Sequence, residues 1–159
     1  MNENNQSLRK HLLSLLRGGE AHMSFENLVA DFPPDLCNQK VAGLPYTSWQ
    51  VLEHMRLAQW DILEFSRDAN HVSPDFPKGY WPSPDNAGTP VLWRESIEGF
   101  RKDLKAMETL VTNDSSDLYR KIPHGDGQTL LREALLVADH NAYHLGVLTA
   151  MSRILKARE

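Results

Sequence analysis

The sequence predicts an all-α protein built as a four-helix bundle, and three observations carry that expectation. Four segments repeat their apolar residues at steps of three and four, the period of one buried helix face. The ends of those segments fall at capping residues, prolines and glycines. No segment alternates apolar and polar residues in the manner of a half-buried strand.

The first helix is expected from about Ser7 to Arg17, with Leu8, Leu12, Leu15 and Leu16 on one side and Gly18-Gly19 ending it. A short continuation starts at Ser24, a good N-cap. It carries Phe25, Leu28, Val29 and Phe32 at helical spacing and stops at Pro33-Pro34. The second main helix opens after Pro45, where Thr47 and Gln50 form a capping-box pattern. Its seam runs through Val51, Met55, Ala58, Ile62 and Phe65. The third opens with Thr89-Pro90, a cap followed by proline at the first helical position. It continues through Trp93, Ile97, Phe100, Leu104, Met107 and Val111. The fourth opens near Thr129, and its seam is Leu130, Ala134, Val137, Asn141, His144, Leu148, Met151 and Leu155. Two polar residues, Asn141 and His144, therefore sit in an otherwise apolar line.

The connection between the second and third helices, residues 71–88, is of a different kind. Pro74, Pro77, Pro82 and Pro84 stiffen it, while Phe76, Tyr80 and Trp81 give it apolar surface. So long a link without secondary structure is uncommon inside a compact domain. It reads either as a flap over one end of the bundle or as a surface loop that packs its own aromatics.

A chain of 159 residues is one ordinary domain, expected to span 1–159, and it holds a core without help from a metal or a disulfide. A metal here would be functional. The net charge of −4, with no basic cluster denser than Arg153, Lys156 and Arg158, argues against a nucleic-acid surface. No apolar run approaches the ~20 residues of a membrane span. The Met1 to Ser7 segment is polar and lacks the apolar centre of a signal peptide. Cys37 is the only cysteine, which fits a reducing compartment, and no role is assigned to it. A cytoplasmic location is the expectation.

The chemistry-bearing pattern is a set of histidines. His140 and His144 are four residues apart on the fourth helix, about 6 Å along its axis and on one face, so two imidazoles can converge on one ion. The pair alone is a weak signal in a chain with seven histidines. Its position strengthens it, because a histidine on a core face must satisfy two ring nitrogens. His54, on the second helix beside Val51 and Ala58, is the natural third ligand once two helices pack at ~8–10 Å.

Trp49-x-x-Leu52-x-His54 opening the second helix, followed by Asp139-His140-x-x-x-His144-x-Gly146 in the fourth, resembles the DinB-like (DinB/YfiT-like) superfamily. The likeness covers helix order, the long link before the third helix and the turn at Gly125 to Leu131. It implies a four-helix bundle, a divalent metal held by His54, His140 and His144, and a homodimer. Some members are thiol-dependent transferases acting with low-molecular-weight thiols, and others look like hydrolases.

Three neutral imidazoles suit zinc, nickel, cobalt, copper or iron, with zinc or nickel the first expectation. Three protein ligands leave a position open for water or a small-molecule substrate, as catalytic rather than structural sites do. Four further residues are candidates for supporting roles. Asp139 and Glu53 each precede a proposed ligand, yet neighbours on a helix point about 100° apart, so a solvated charge is the better reading for both. Asn141 could bond a substrate or another helix, and Tyr143 could donate a proton or simply pack. His22 and His124 flank helix breaks and read best as surface residues; Trp49, Trp60, Trp81 and Trp93 read as core or flap anchors. The contrasting functional reading is a non-enzymatic dimeric helical module in which metal is absent or incidental.

Overall fold

A computed structural model describes residues 3–158; Met1 and Asn2, where the polar N-terminal segment begins, and Glu159 lie outside the described residues. Five α-helices carry the described chain: α1 (Glu3–Arg17), α2 (Phe25–Asp31), α3 (Ser48–Arg67), α4 (Pro90–Thr112) and α5 (Leu130–Lys156). Two single 3₁₀ turns, Pro34–Leu36 and Lys78–Tyr80, interrupt the connections, and the described residues contain no strand.

The helix starts follow one device. Ser24, Thr47, Thr89 and Thr129 each sit in extended backbone, and each side chain accepts the amide hydrogen of the residue three positions on. At Thr47 the reciprocal bond from its own amide to Gln50 completes a capping box. Isolated antiparallel bridges, Lys40 with Thr47 and Lys121 with Thr129, draw together the turns that feed α3 and α5. The first helix ends where Gly18 and Gly19 take φ of 65° and 88°, values that favour glycine.

Helix α3 packs against both α4 and α5, and α1 lies against α4 and α5, so the four long helices close a ring; α2 rests on α5. Two apolar clusters fill the interior. One joins α2, the first half of α3, the first half of α4 and the second half of α5 around Phe25, Leu52, Met55, Trp93, Phe100 and Leu148. The other joins the remaining halves with α1 around Leu12, Leu63, Met107 and Val137. Between them lies a polar node: Gln59, only 1% exposed, donates to the Phe100 carbonyl at 2.8 Å and accepts from Asn141 Nδ2 at 2.8 Å.

The periodic seam expected for α3 understates what this helix buries. Val51, Met55 and Ala58 are buried as expected, but so are Leu52, Gln59 and Leu63, while Ile62 and Phe65 are only partly covered. The reason is that α3 is covered by α4, α5 and the segment 71–88 together, so its buried arc is wider than a single seam. On α1 the reverse holds: Leu15 is 54% exposed, and the side chain that goes inward beside Leu12 and Leu16 is Arg9.

Arg9 is the polar group on which one end of the fold depends. Its guanidinium donates to the carbonyls of Val111, Asn113 and Ser116, closing the C-terminus of α4. Val111 lies in the last turn of α4, where carbonyls have no further helical amide to accept from, while Asn113 and Ser116 follow in the turn beyond, where the Asn113 carbonyl also accepts the Ser116 amide at 2.9 Å. Replacing Arg9 by methionine is expected to lower the unfolding free energy by about 2–3 kcal/mol, measured by urea denaturation, because charged donors are lost and the buried Val111 carbonyl loses its partner.

Candidate metal centre

His54 projects from the second turn of α3, and His140 and His144 from successive turns in the middle of α5. The packing of α3 on α5 brings all three rings together, with one ligand atom from each lying within 4.8 Å of the others. His54 Nε2 lies 3.1 Å from His140 Nε2 and 3.2 Å from His144 Nε2.

The tautomer of His54 follows from its other nitrogen. Nδ1 lies 2.7 Å from the carbonyl oxygen of Tyr80, which can only accept, so Nδ1 carries the proton and donates it. In the neutral ring Nε2 is then a bare lone pair aimed at the other two histidines. One lone pair cannot bond well to two N–H groups arriving from different helix turns. Three lone pairs converging on one cation remove the conflict among the facing nitrogens, although the other nitrogen of His140, Nδ1, is buried without a hydrogen-bond partner. A tetrahedral ion with bonds of about 2.0–2.1 Å sets its ligand nitrogens about 3.3 Å apart, close to the spacings seen here. By donor chemistry and by geometry the residues fit a divalent cation.

Burial disfavours the charged form of each ring. It pushes His140 and His144 down to about 4, with the neighbouring imidazoles adding to the effect. His54 is also lowered by burial, partly offset by its bond to the Tyr80 carbonyl. At neutral pH the lone pairs are free, and a metal would displace no proton from them.

Residues 72–79 of the segment 71–88 are largely exposed, with the Phe76 ring edge-on to Tyr80 at 6.1 Å, whereas Tyr80 to Gly88 form a strap lying along α3. Its contacts descend the helix in order. His71 Nε2 and the Tyr80 hydroxyl both donate to Asp61, one to each carboxylate oxygen, at 2.7 Å. The Tyr80 carbonyl then receives His54, and the Trp81 ring stacks on the His54 imidazole at 3.8 Å with 3° between planes. Tyr46 stacks on the far face of Trp81 at 3.8 Å. Further along, Gln50 Nε2 donates to the Ser83 carbonyl at 3.3 Å, and Gly88 lies so close to Trp49 that a Cβ there would meet its side chain at 2.6 Å. Burial and the Asp61 carboxylate push the Tyr80 hydroxyl up to about 12, so it stays a donor.

The remaining sequence candidates are placed differently. Glu53 is bound by Arg56 and by the Ser96 hydroxyl, away from any imidazole nitrogen. Asp139 is exposed. Asn141 is buried but turned to Gln59. Tyr143 is 69% exposed, its ring edge-on to His144 at 4.8 Å between centroids. His22 and His124 are exposed and bonded to the carbonyls of Met23 and Phe65, outside the cluster. Sequence reasoning missed Asp61, His71 and the Tyr80 carbonyl. Asp61 had a signal, since it lies seven residues after His54 and so on the same face; the backbone carbonyl had none.

These features define a class: an all-helical protein with three clustered histidines able to hold a divalent cation. The family model of the DinB superfamily matches residues 8–148, and the chain belongs to that superfamily. No curated protein and no solved structure matches it. Among the described residues no helix is long and apolar enough to cross a membrane.

Two outcomes are expected. Asp61→Ala removes the shared acceptor of His71 and the Tyr80 hydroxyl and should weaken zinc or nickel binding about tenfold, read by competition with a chromophoric chelator; unchanged affinity would show this part of the strap and the cluster to be independent. In chelator-treated protein, the unfolded chain binds more protons than the folded one between pH 6.5 and about 4, because His140 and His144 have lowered pKa values only when folded. Urea stability should therefore fall as pH drops through that window, and His144→Gln should shrink the fall.

Proposed function

We propose that this chain is a metal-dependent enzyme in which His54, His140 and His144 hold a divalent cation, zinc or nickel, acting on a small-molecule substrate. The observation that carries the reading is the approach of three Nε2 atoms from two helices, with the tautomer of one set by a backbone carbonyl. The packing of α1, α3, α4 and α5 supports describing the scaffold as a four-helix bundle.

Held by His54, His140 and His144, such a cation would supply Lewis acidity, lowering the pKa of a water or a low-molecular-weight thiol so that it could serve as a nucleophile. The chain's own residues would do the rest. The strap fixes the orientation of His54 and keeps its Nε2 deprotonated. Trp81 covers one face of the His54 ring, shielding it from water. The exposed Tyr143 beside His144 supplies an aromatic edge and a hydroxyl where a substrate would enter. Hydrolysis and thiol-dependent S-transfer both fit this arrangement.

A second reading, a dimeric helical module without metal chemistry, draws on the outer face of α5. There Leu135 and Tyr143 are exposed, and the space over Gly146 is open. Metal analysis decides between them. Untagged protein purified without chelators is expected to carry about one equivalent of metal by mass spectrometry, and His144→Ala to lose it. A metal-free wild type with unaltered stability on adding zinc or nickel would overturn the enzyme reading. A panel of ester, amide and electrophilic substrates, with and without small thiols, then separates hydrolase from transferase.

A further inference from the structure

The indole of Trp81 touches two of the three clustered histidines, and those two stand on different helices. It lies flat on the His54 imidazole, 3.8 Å between centroids with 3° between planes, and meets the His144 ring at a steep angle, 6.1 Å away. Tyr46 backs the indole on its other face at 3.8 Å and 13°. The carbonyl that receives the His54 Nδ1 proton belongs to the peptide joining Tyr80 to Trp81, and the Trp81 amide is itself held by the Lys78 carbonyl at 3.4 Å. Bond and stack therefore grip His54 from one short piece of backbone.

The two contacts restrain different motions of the ring. A hydrogen bond sets where Nδ1 points but tolerates a broad spread of angles at the carbonyl oxygen. A flat stack resists tilting of the ring plane. His140 and His144 share α5 and are carried together, whereas His54 alone comes from α3 and must be aimed separately.

The stack also distinguishes two states of the ring. The face of an indole carries negative potential. Coordination drains electron density from an imidazole and spreads part of the ion's charge over it, so the same contact then takes on cation–π character. Only a contact that differs in energy between two states shifts the balance between them. A leucine in this place would cover the ring in both states and shift nothing.

We propose that Trp81 is a positioning residue of the cation site. Laid on His54, its indole raises the affinity for a divalent cation by holding the ring plane and by attracting the ring more strongly once it is coordinated. The inference rests on the metal-binding reading above and adds to it a side chain that supplies no ligand atom.

The test measures zinc affinity, by competition with a chromophoric chelator, in wild type, Trp81→Tyr, Trp81→Phe and Trp81→Leu. Urea unfolding of each metal-free protein is measured alongside. Affinity should be highest with Trp, lower with Tyr and Phe and lowest with Leu, the last about tenfold below wild type. Metal-free stability should not follow that order, because the added attraction exists only in the loaded state. Equal affinity across the series, or losses that track metal-free stability instead of the aromatic face, would overturn the proposal and leave the metal reading standing. A wild type that binds no zinc would overturn both. Should Trp81→Leu fail to fold, Trp81→Phe, which keeps a ring and is expected about threefold below wild type, still decides it.

Discussion

The bond from His54 Nδ1 to the Tyr80 carbonyl constrains more of this molecule than its length suggests. It fixes a tautomer, and the tautomer decides whether the facing nitrogen offers a lone pair or a proton. It also ties a proline-stiffened connection to α3 at the point where the helix meets α5. Side chains alone could not do both. A side-chain partner for His54 would itself need holding, whereas a backbone carbonyl is held by the chain on either side, here through Tyr80 and Trp81. Asp61 extends the arrangement by two helical turns, gathering His71 and the Tyr80 hydroxyl onto one carboxylate.

Much of this was legible in the sequence, for identifiable reasons. Caps and periodicity are local, so Thr47, Thr89 and Thr129 announced their helices correctly. The spacing of His140 and His144 is also local, and their pairing across to His54 needed only that α3 and α5 be neighbours. What was not legible depends on the path of the connection. Proline and aromatic content left open whether residues 71–88 would cover one end of the bundle or pack their own aromatics, and gave no sign that Tyr80 to Gly88 would run along α3. The partner of His54 was unreadable because every residue has a carbonyl. Arg9 was missed on α1 because a charged side chain in an amphipathic pattern is read as outward-facing, and only the unpaired end of α4 gives it reason to turn in.

The interior is divided rather than continuous. Two apolar clusters, one at each end, are joined across the Gln59–Asn141 node. Buried amides demand a particular register between helices, because sliding one past the other by a turn breaks the bond, whereas leucines tolerate such shifts. The node lies five residues from His54 along α3 and next to His140 along α5. The polar layer that aligns these two helices is thus the one nearest the cluster whose geometry needs them aligned.

The flat contact between Trp81 and the His54 ring has an optical consequence. An indole 3.8 Å from an imidazole lies within a few ångströms of anything that imidazole coordinates. Its emission would be quenched by an open-shell ion such as nickel or cobalt and only perturbed by closed-shell zinc. The protein thereby carries an intrinsic fluorophore at the one place where the identity of a bound ion would be written in its electrons.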